Sequence, residues 1–232
     1  MRIFLRSAHL CETARRPHHH VMMKRAQTRY EIAADAVVHA LGVGFGLIGG
    51  PILIGFVAAR GEAGSLVAVS IYVATLIAMF ALSASYNLIP LKGAKDWLRR
   101  LDHSTIYLKI AGAYTPFAAV SVGGLAGHAL LALVWLAAGF GICLKLIYPR
   151  RFEALSIILY LGMGWAAVAV AGDVAAGIGA ASLIMIVIAG ALYSTGVLFH
   201  LWSRLPFQNA IWHVFVLAAT VVLYGAVALE FA

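Results

Sequence analysis

Polar side chains able to do chemistry are few in this chain, and they fall in short clusters at the edges of long apolar runs. Asp35 and His39 are four residues apart, as are Ser83 and Asn87, and Asn209 and His213. A spacing of four puts both members of a pair on one helical face. Asp102, His103 and Ser104 form a fourth cluster, while Glu31 and His200 stand alone. A set of Asp, His, Ser and Asn facing one cavity is suited to holding a metal ion and positioning a water. Plainer readings stand beside this one. Glu31 and Asp102 read as helix caps, Ser83, Asn87 and Asn209 as interhelical hydrogen-bond partners, and His200 as a satisfied interfacial residue. His213 lies deeper, one turn past Asn209, where a polar group is costlier and so more informative. The motifs of soluble catalysis are absent: no GxSxG, no phosphate loop and no HExxH.

The elements that must carry these residues are membrane spans. Of 232 residues, 63% are hydrophobic and 11% charged, a composition that a soluble domain of this size does not cover with polar surface. Continuous apolar stretches favour helices over the alternating strands of a barrel. Seven stretches approach the roughly 20 residues a span requires: 33–58, 66–90, 102–122, 125–147, 154–172, 179–200 and 209–230. The fifth is the weakest, because Gly162, Gly164 and Gly172 lower its helical character. The expected fold is therefore an all-α integral membrane protein, a bundle of seven transmembrane helices over residues 31–232, preceded by a basic, disordered cytoplasmic tail over 1–30. Met22 and Met23 precede the membrane pattern, and either would serve as a start.

Charge sets the orientation. The formal net charge is +8, but the basic residues flank apolar runs, a topology signal rather than a nucleic-acid surface. The tail carries Arg2, Arg6, Arg15, Arg16, Lys24, Arg25 and Arg29. The second, fourth and sixth spans are followed by Lys92, Lys95, Arg99 and Arg100, then Lys145, Arg150 and Arg151, then Arg204. The opposite side holds only Arg60, and Lys109 lies inside the third span. The positive side is cytoplasmic, which places the N-terminus inside, the C-terminus outside and the protein in the cell (inner) membrane. With that orientation, Glu31, His39, Ser83, Asn87, Asp102, His103, His200, Asn209 and His213 all reach the cytoplasmic-side layer. Cys11 and Cys143 suggest neither a disulfide framework nor a Cys metal site, and His18-His19-His20 belongs to the tail.

Local signals sharpen the elements. Thr28-x-x-Glu31 is a capping box. Gly42, Gly46 and Gly50 form a smooth stripe for close helix packing. Gly50-Pro51 and Thr115-Pro116 predict kinks in the first and third helices.

Four stretches together resemble the hemolysin III family, the bacterial branch of the progestin and adipoQ receptor (PAQR) superfamily. They are Glu31-Ile-Ala-Ala-Asp-Ala-Val-Val-His39-Ala-Leu-Gly42, Ser83-Ala-Ser-Tyr-Asn87, Leu101-Asp102-His103-Ser104 through Ala113-Tyr114-Thr115-Pro116-Phe117, and Asn209-Ala-Ile-Trp212-His213-Val-Phe-Val216. The resemblance implies seven helices with a cytoplasmic N-terminus. It also implies a zinc ion near the cytoplasmic face, held by three His, one from a Ser-x-x-x-His motif in helix 2 and two from His-x-x-x-His in helix 7. An Asp at the start of helix 3 and the helix-2 Ser assist the water that the metal activates. This sequence keeps Ser83, Asp102 and His213 but has Asn87 and Asn209 where the other two His belong. An amide oxygen is a poor zinc ligand, although it sustains hydrogen bonding. A rearranged site would need His39, His103 or His200.

The expected function is membrane lipid and fluidity homeostasis or sensing, with membrane lipids as partners and a degenerate zinc site. The alternative is a metal-dependent intramembrane hydrolase of a lipid amide, with Asp102 as base. A pore-forming cytolysin ranks last, because the outer halves of the spans are mostly Ala, Val, Leu, Ile and Gly.

Overall fold

The computed structural model describes residues 27–90, 93–149 and 151–232. Most of the basic tail, with Cys11, the His run, Met22 and Met23, lies outside them, as do Lys92 and Arg150. The described residues are helical and form no strand. The elements are α1 (Arg29–Ala59), α2 (Ala63–Leu88), α3 (Lys95–Pro116), α4 (Gly124–Ile147), α5 (Glu153–Gly164), α6 (Ala171–Gly177), α7 (Ala180–Leu201) and α8 (Gln208–Phe231). Six helical segments are long and apolar enough to cross a membrane: α1, α2, α4, the composite 153–177, α7 and α8. This is a multi-pass architecture. α3 falls outside that group because Lys95, Asp96, Arg99, Arg100, Asp102 and Lys109 lower its hydropathy.

Burial is inverted relative to a water-soluble helix. α1 exposes Val37, Leu41, Ile48, Ile52 and Phe56 while burying Glu31, Asp35 and His39. Such a face is stable only where the surroundings are apolar. α1 then packs against α2 along the glycine stripe. A methyl at Gly42 would stand 2.5 Å from the Phe80 ring, and one at Gly50 2.5 Å from Val73. α2 meets α3 more closely still, since a Cβ on Gly112 would lie 2.0 Å from Thr75 Oγ1. The core gathered by these contacts includes Leu53, Val69, Tyr72, Leu76, Phe80 and Val227.

Helix ends follow their chemistry. Thr28 Oγ1 accepts from Glu31 N at 3.3 Å, and Glu31 Oε2 accepts from Thr28 N at 2.7 Å, completing the capping box. Glu31 Oε1 also accepts from Phe207 N at 2.8 Å, tying the start of α1 to the start of α8. Glu31→Gln keeps the shape but removes the charge from these bonds. It is expected to lower stability by about 1–2 kcal/mol, read as a lower thermal unfolding midpoint in detergent; an unchanged midpoint would refute the tie. Basic residues cover carbonyls at the C-terminal ends of helices. Arg100 donates to Leu146 O at 2.6 Å, Arg99 to Pro149 O at 3.4 Å, and Lys95 to Tyr86 O.

Two breaks matter for the site. Beyond Pro116 the chain continues as a π-helical turn, Phe117–Val122, so the Thr115-Pro116 signal marks a change of helix type. Pro51 stays inside a continuous α1. The fifth span divides at Gly164: α5 ends, a 3-10 turn covers Ala166–Val170, and α6 begins. The span expected to be continuous but weak over 154–172 is thus broken, and Trp165 occupies the break.

Candidate functional site

The cytoplasmic-side polar groups converge between α1, α2, α3 and α8. Asp35 and His39 sit one turn apart on α1, 5% and 3% exposed. His39 Nδ1 donates to the Asp35 carbonyl at 2.8 Å, which leaves Nε2 directed at α2. There Ser83 Oγ lies 3.2 Å away and Asn87 Nδ2 3.5 Å away. Asn87 also donates to the Ser83 carbonyl at 2.9 Å. From α8, His213 Nδ1 donates to Asp35 Oδ1 at 2.6 Å. The two imidazoles meet edge to face, with centroids 4.3 Å apart. Asp102, from α3, hydrogen-bonds Ser83. A continuous polar chain therefore runs Asp102–Ser83–His39 and returns through Asp35 to His213.

Asp102 is not a cap. α3 starts at Lys95, so Asp102 lies two turns inside it, and the capping reading is corrected. The error has a physical source: the basic stretch before Asp102 looks like a joint by hydropathy but is helical. Of the three histidines considered for a rearranged site, His39 alone joins the cluster. His103 faces the Tyr86 ring at 6.5 Å, and His200 packs on Trp212 at 5.0 Å. Both border the same cavity, as does Asn209, one turn before His213.

One ligand atom from each of Asp35, His39 and His213 can be chosen so that all lie within 4.8 Å of one another. Two imidazoles and a carboxylate are a common donor set for catalytic zinc. The backbone carbonyl on His39 Nδ1 is the kind of outer partner that fixes a ligating imidazole. The donor set fits a divalent ion, through residues partly different from those the resemblance implied. Asp35 supplies what sequence reasoning did not assign. Its pairing with His39 is visible in the spacing, but its meeting with His213 across 178 residues is not.

The cluster caps a cavity of about 880 Å³. Beyond the polar layer its wall is mostly apolar, with Phe80, Ala113, Phe117, Leu130, Ile178 and Leu223, interrupted by Lys109 and Tyr193. Among the described residues α7 packs closely only on α8, and α5 only on α3, α4 and the 3-10 turn. The wall between α5 and α7 is bridged by Trp165, whose Nε1 donates to Ser194 Oγ at 3.0 Å.

Comparison with known proteins agrees with this architecture. A family model described as "Haemolysin-III related" matches residues 32–224. The "Hemolysin-3 homolog" of Bacillus subtilis (strain 168) is 36% identical over 197 residues, covering 85% of this chain and 92% of the relative. "Hemolysin-3" of Bacillus cereus is 33% identical over 206 residues, covering 89% and 94%. The human "Monocyte to macrophage differentiation factor" is 28% identical over 209 residues, covering 86% and 84%. No solved structure matches. The match spans every described helix of the site, and the chain belongs to the haemolysin-III-related family.

Proposed function

We propose that this protein acts in membrane lipid homeostasis or sensing, by admitting a single membrane lipid into the cavity. The observation that carries this reading is the cavity itself: mostly apolar walls with a buried polar layer at one end. An amphiphile matches that profile, since its tail is indifferent to lipid or apolar wall while its polar end finds hydrogen-bond partners. In this reading α3 with its π-helical turn completes a seventh span, the N-terminus is cytoplasmic, and the protein resides in the inner cell membrane. Native mass spectrometry of protein released from nanodiscs is expected to show one retained lipid per chain, and deletion of the gene to alter membrane order. Protein released empty, with unchanged membrane order, would overturn the proposal.

A second reading, metal-dependent hydrolysis of a lipid amide, is favoured by the Asp35–His39–His213 cluster. Those three residues would hold a zinc ion, which when bound supplies Lewis-acid and water-activating chemistry. Ser83 orients the Asp102 carboxylate as a proton acceptor at the edge of the cavity. Asn87 contributes hydrogen bonding in place of imidazole, and Asn209 borders the cavity. Asp102→Asn preserves size and hydrogen bonding but removes the basic oxygen, so it is expected to reduce hydrolysis of a ceramide-type amide at least 100-fold. Equal turnover by variant and wild type would exclude Asp102 as the base.

A further inference from the structure

Lys109 is an ionisable residue deep in a membrane helix that the polar layer does not use. It lies seven residues beyond Asp102 on α3, about 10 Å further along the axis. Its side chain is 4% exposed and borders the cavity. Its Nζ hydrogen-bonds the Tyr193 hydroxyl and sits 4.1 Å from the centroid of that ring. The Tyr193 hydroxyl is in turn 2.6 Å from Thr220 Oγ1, which donates to the Val216 carbonyl at 2.7 Å. These groups hold the lysine in place without balancing its charge. Among the described residues no carboxylate ion-pairs with it. The two that border the cavity are committed elsewhere: Glu31 to the α1 and α8 termini, and Asp102 to Ser83.

An ammonium carries three donors, and a lone charge at this depth is costly unless something balances it. Directly beyond Lys109, away from the polar layer, the wall is Ala113, Phe117, Ala118 and Leu130. A single cation thus stands at the head of an apolar channel. We propose that Lys109 anchors the carboxylate of a single-chain lipid acid, whose acyl chain lies along that wall. The proposal rests on the cavity being a lipid site, but not on metal at the Asp35–His39–His213 cluster. A carboxylate is favoured because its one negative charge balances the one ammonium. A phosphate monoester would bring excess charge to a place with no second cation, since Lys95, the other lysine of the wall, lies 14 residues back on the same helix.

The test is equilibrium binding of labelled palmitate to full-length protein in nanodiscs, with hexadecanol and a palmitoyl lysophosphatidic acid as comparators. Wild type is expected to bind palmitate at least tenfold more tightly than hexadecanol. Lys109→Met, which conserves volume, should weaken palmitate at least tenfold and leave hexadecanol unchanged, while Lys109→Arg should stay within a few-fold of wild type. Equal affinity of wild type for palmitate and hexadecanol overturns the proposal and leaves the lipid-site reading standing; this comparison needs no variant. Undiminished palmitate binding by a folded Lys109→Met protein overturns it as well. A tenfold preference for the lysophosphatidic acid overturns the choice of carboxylate, and no saturable binding of any of the three removes the lipid site itself.

Discussion

Replacing His39 by Ala is expected to lower zinc affinity about 100-fold. If the Asp35–His39–His213 cluster holds zinc as proposed, His39 supplies its second imidazole. Losing the outer partner of a ligating imidazole costs about 10- to 100-fold in metal affinity, and loss of the ligand itself belongs at or above the top of that range. His39 Nε2 faces Ser83 and Asn87 at 3.2 and 3.5 Å, and without it His213 is the one imidazole left in the cluster. Purified protein titrated with zinc against a competing chelator reads the effect directly. Asn87→His in the His39→Ala background should recover most of the loss, because position 87 is already within 3.5 Å of the vacated nitrogen. Unaltered affinity in His39→Ala would show that the cluster is a hydrogen-bond network and nothing more.

Gly112→Val is expected to abolish the fold. Its Cβ would stand 2.0 Å from Thr75 Oγ1 and 2.8 Å from Thr75 Cβ. Thr75 has no room to withdraw, since it is buried and its hydroxyl donates to the Tyr72 carbonyl at 2.9 Å. Overpacking typically costs about 1–3 kcal/mol and occasionally more. A β-branched side chain that is buried between two packed helices and touched at Oγ1, Cβ and Cγ2 cannot swing clear, so this clash belongs at the upper end, above about 3 kcal/mol. Monodispersity in size-exclusion chromatography reports the outcome, with Gly139→Val, a position with nothing within 4 Å, as the control. A monodisperse Gly112→Val protein of wild-type thermal stability would mean that α2 and α3 separate at little cost. Thr75→Ala should partly rescue the variant if the clash is its cause.

What was legible in the sequence was what local spacing encodes. The capping box at Thr28–Glu31 and the stripe of Gly42, Gly46 and Gly50 each depend on residues three or four apart, and each is present. The weakness of the fifth span was legible as an accumulation of glycine, but its division into two helices was not. The start of α3 was not. Hydropathy measures transfer into lipid, and Lys95, Arg99 and Arg100 transfer badly whether or not they are helical. Asp35 was legible as the partner of His39 and illegible as the partner of His213, because that contact is made only when α8 closes against α1. The resemblance directed attention to Asn87 and Asn209, the positions where imidazoles are missing. In the structure the imidazole that stands beside His213 is His39, from α1.

The divided fifth span has a mechanical consequence. Only 11% of its most apolar stretch is buried inside the protein, against 50% for α2. Most of that stretch therefore faces outward from the protein, while the 3-10 turn keeps an inner face on the core through Ala166, Ala167 and Val170 and is held by the Tyr114 hydroxyl, which donates to Gly164 O at 3.0 Å and accepts from Ala167 N at 3.2 Å. When a bilayer thins or thickens, a rigid helix tilts, whereas a jointed one changes its bend. Bending here would carry Trp165 relative to Ser194, and with it the wall between α5 and α7. The thickness of the membrane would then set how readily a lipid enters, making the bilayer both the source of the ligand and the gauge that admits it.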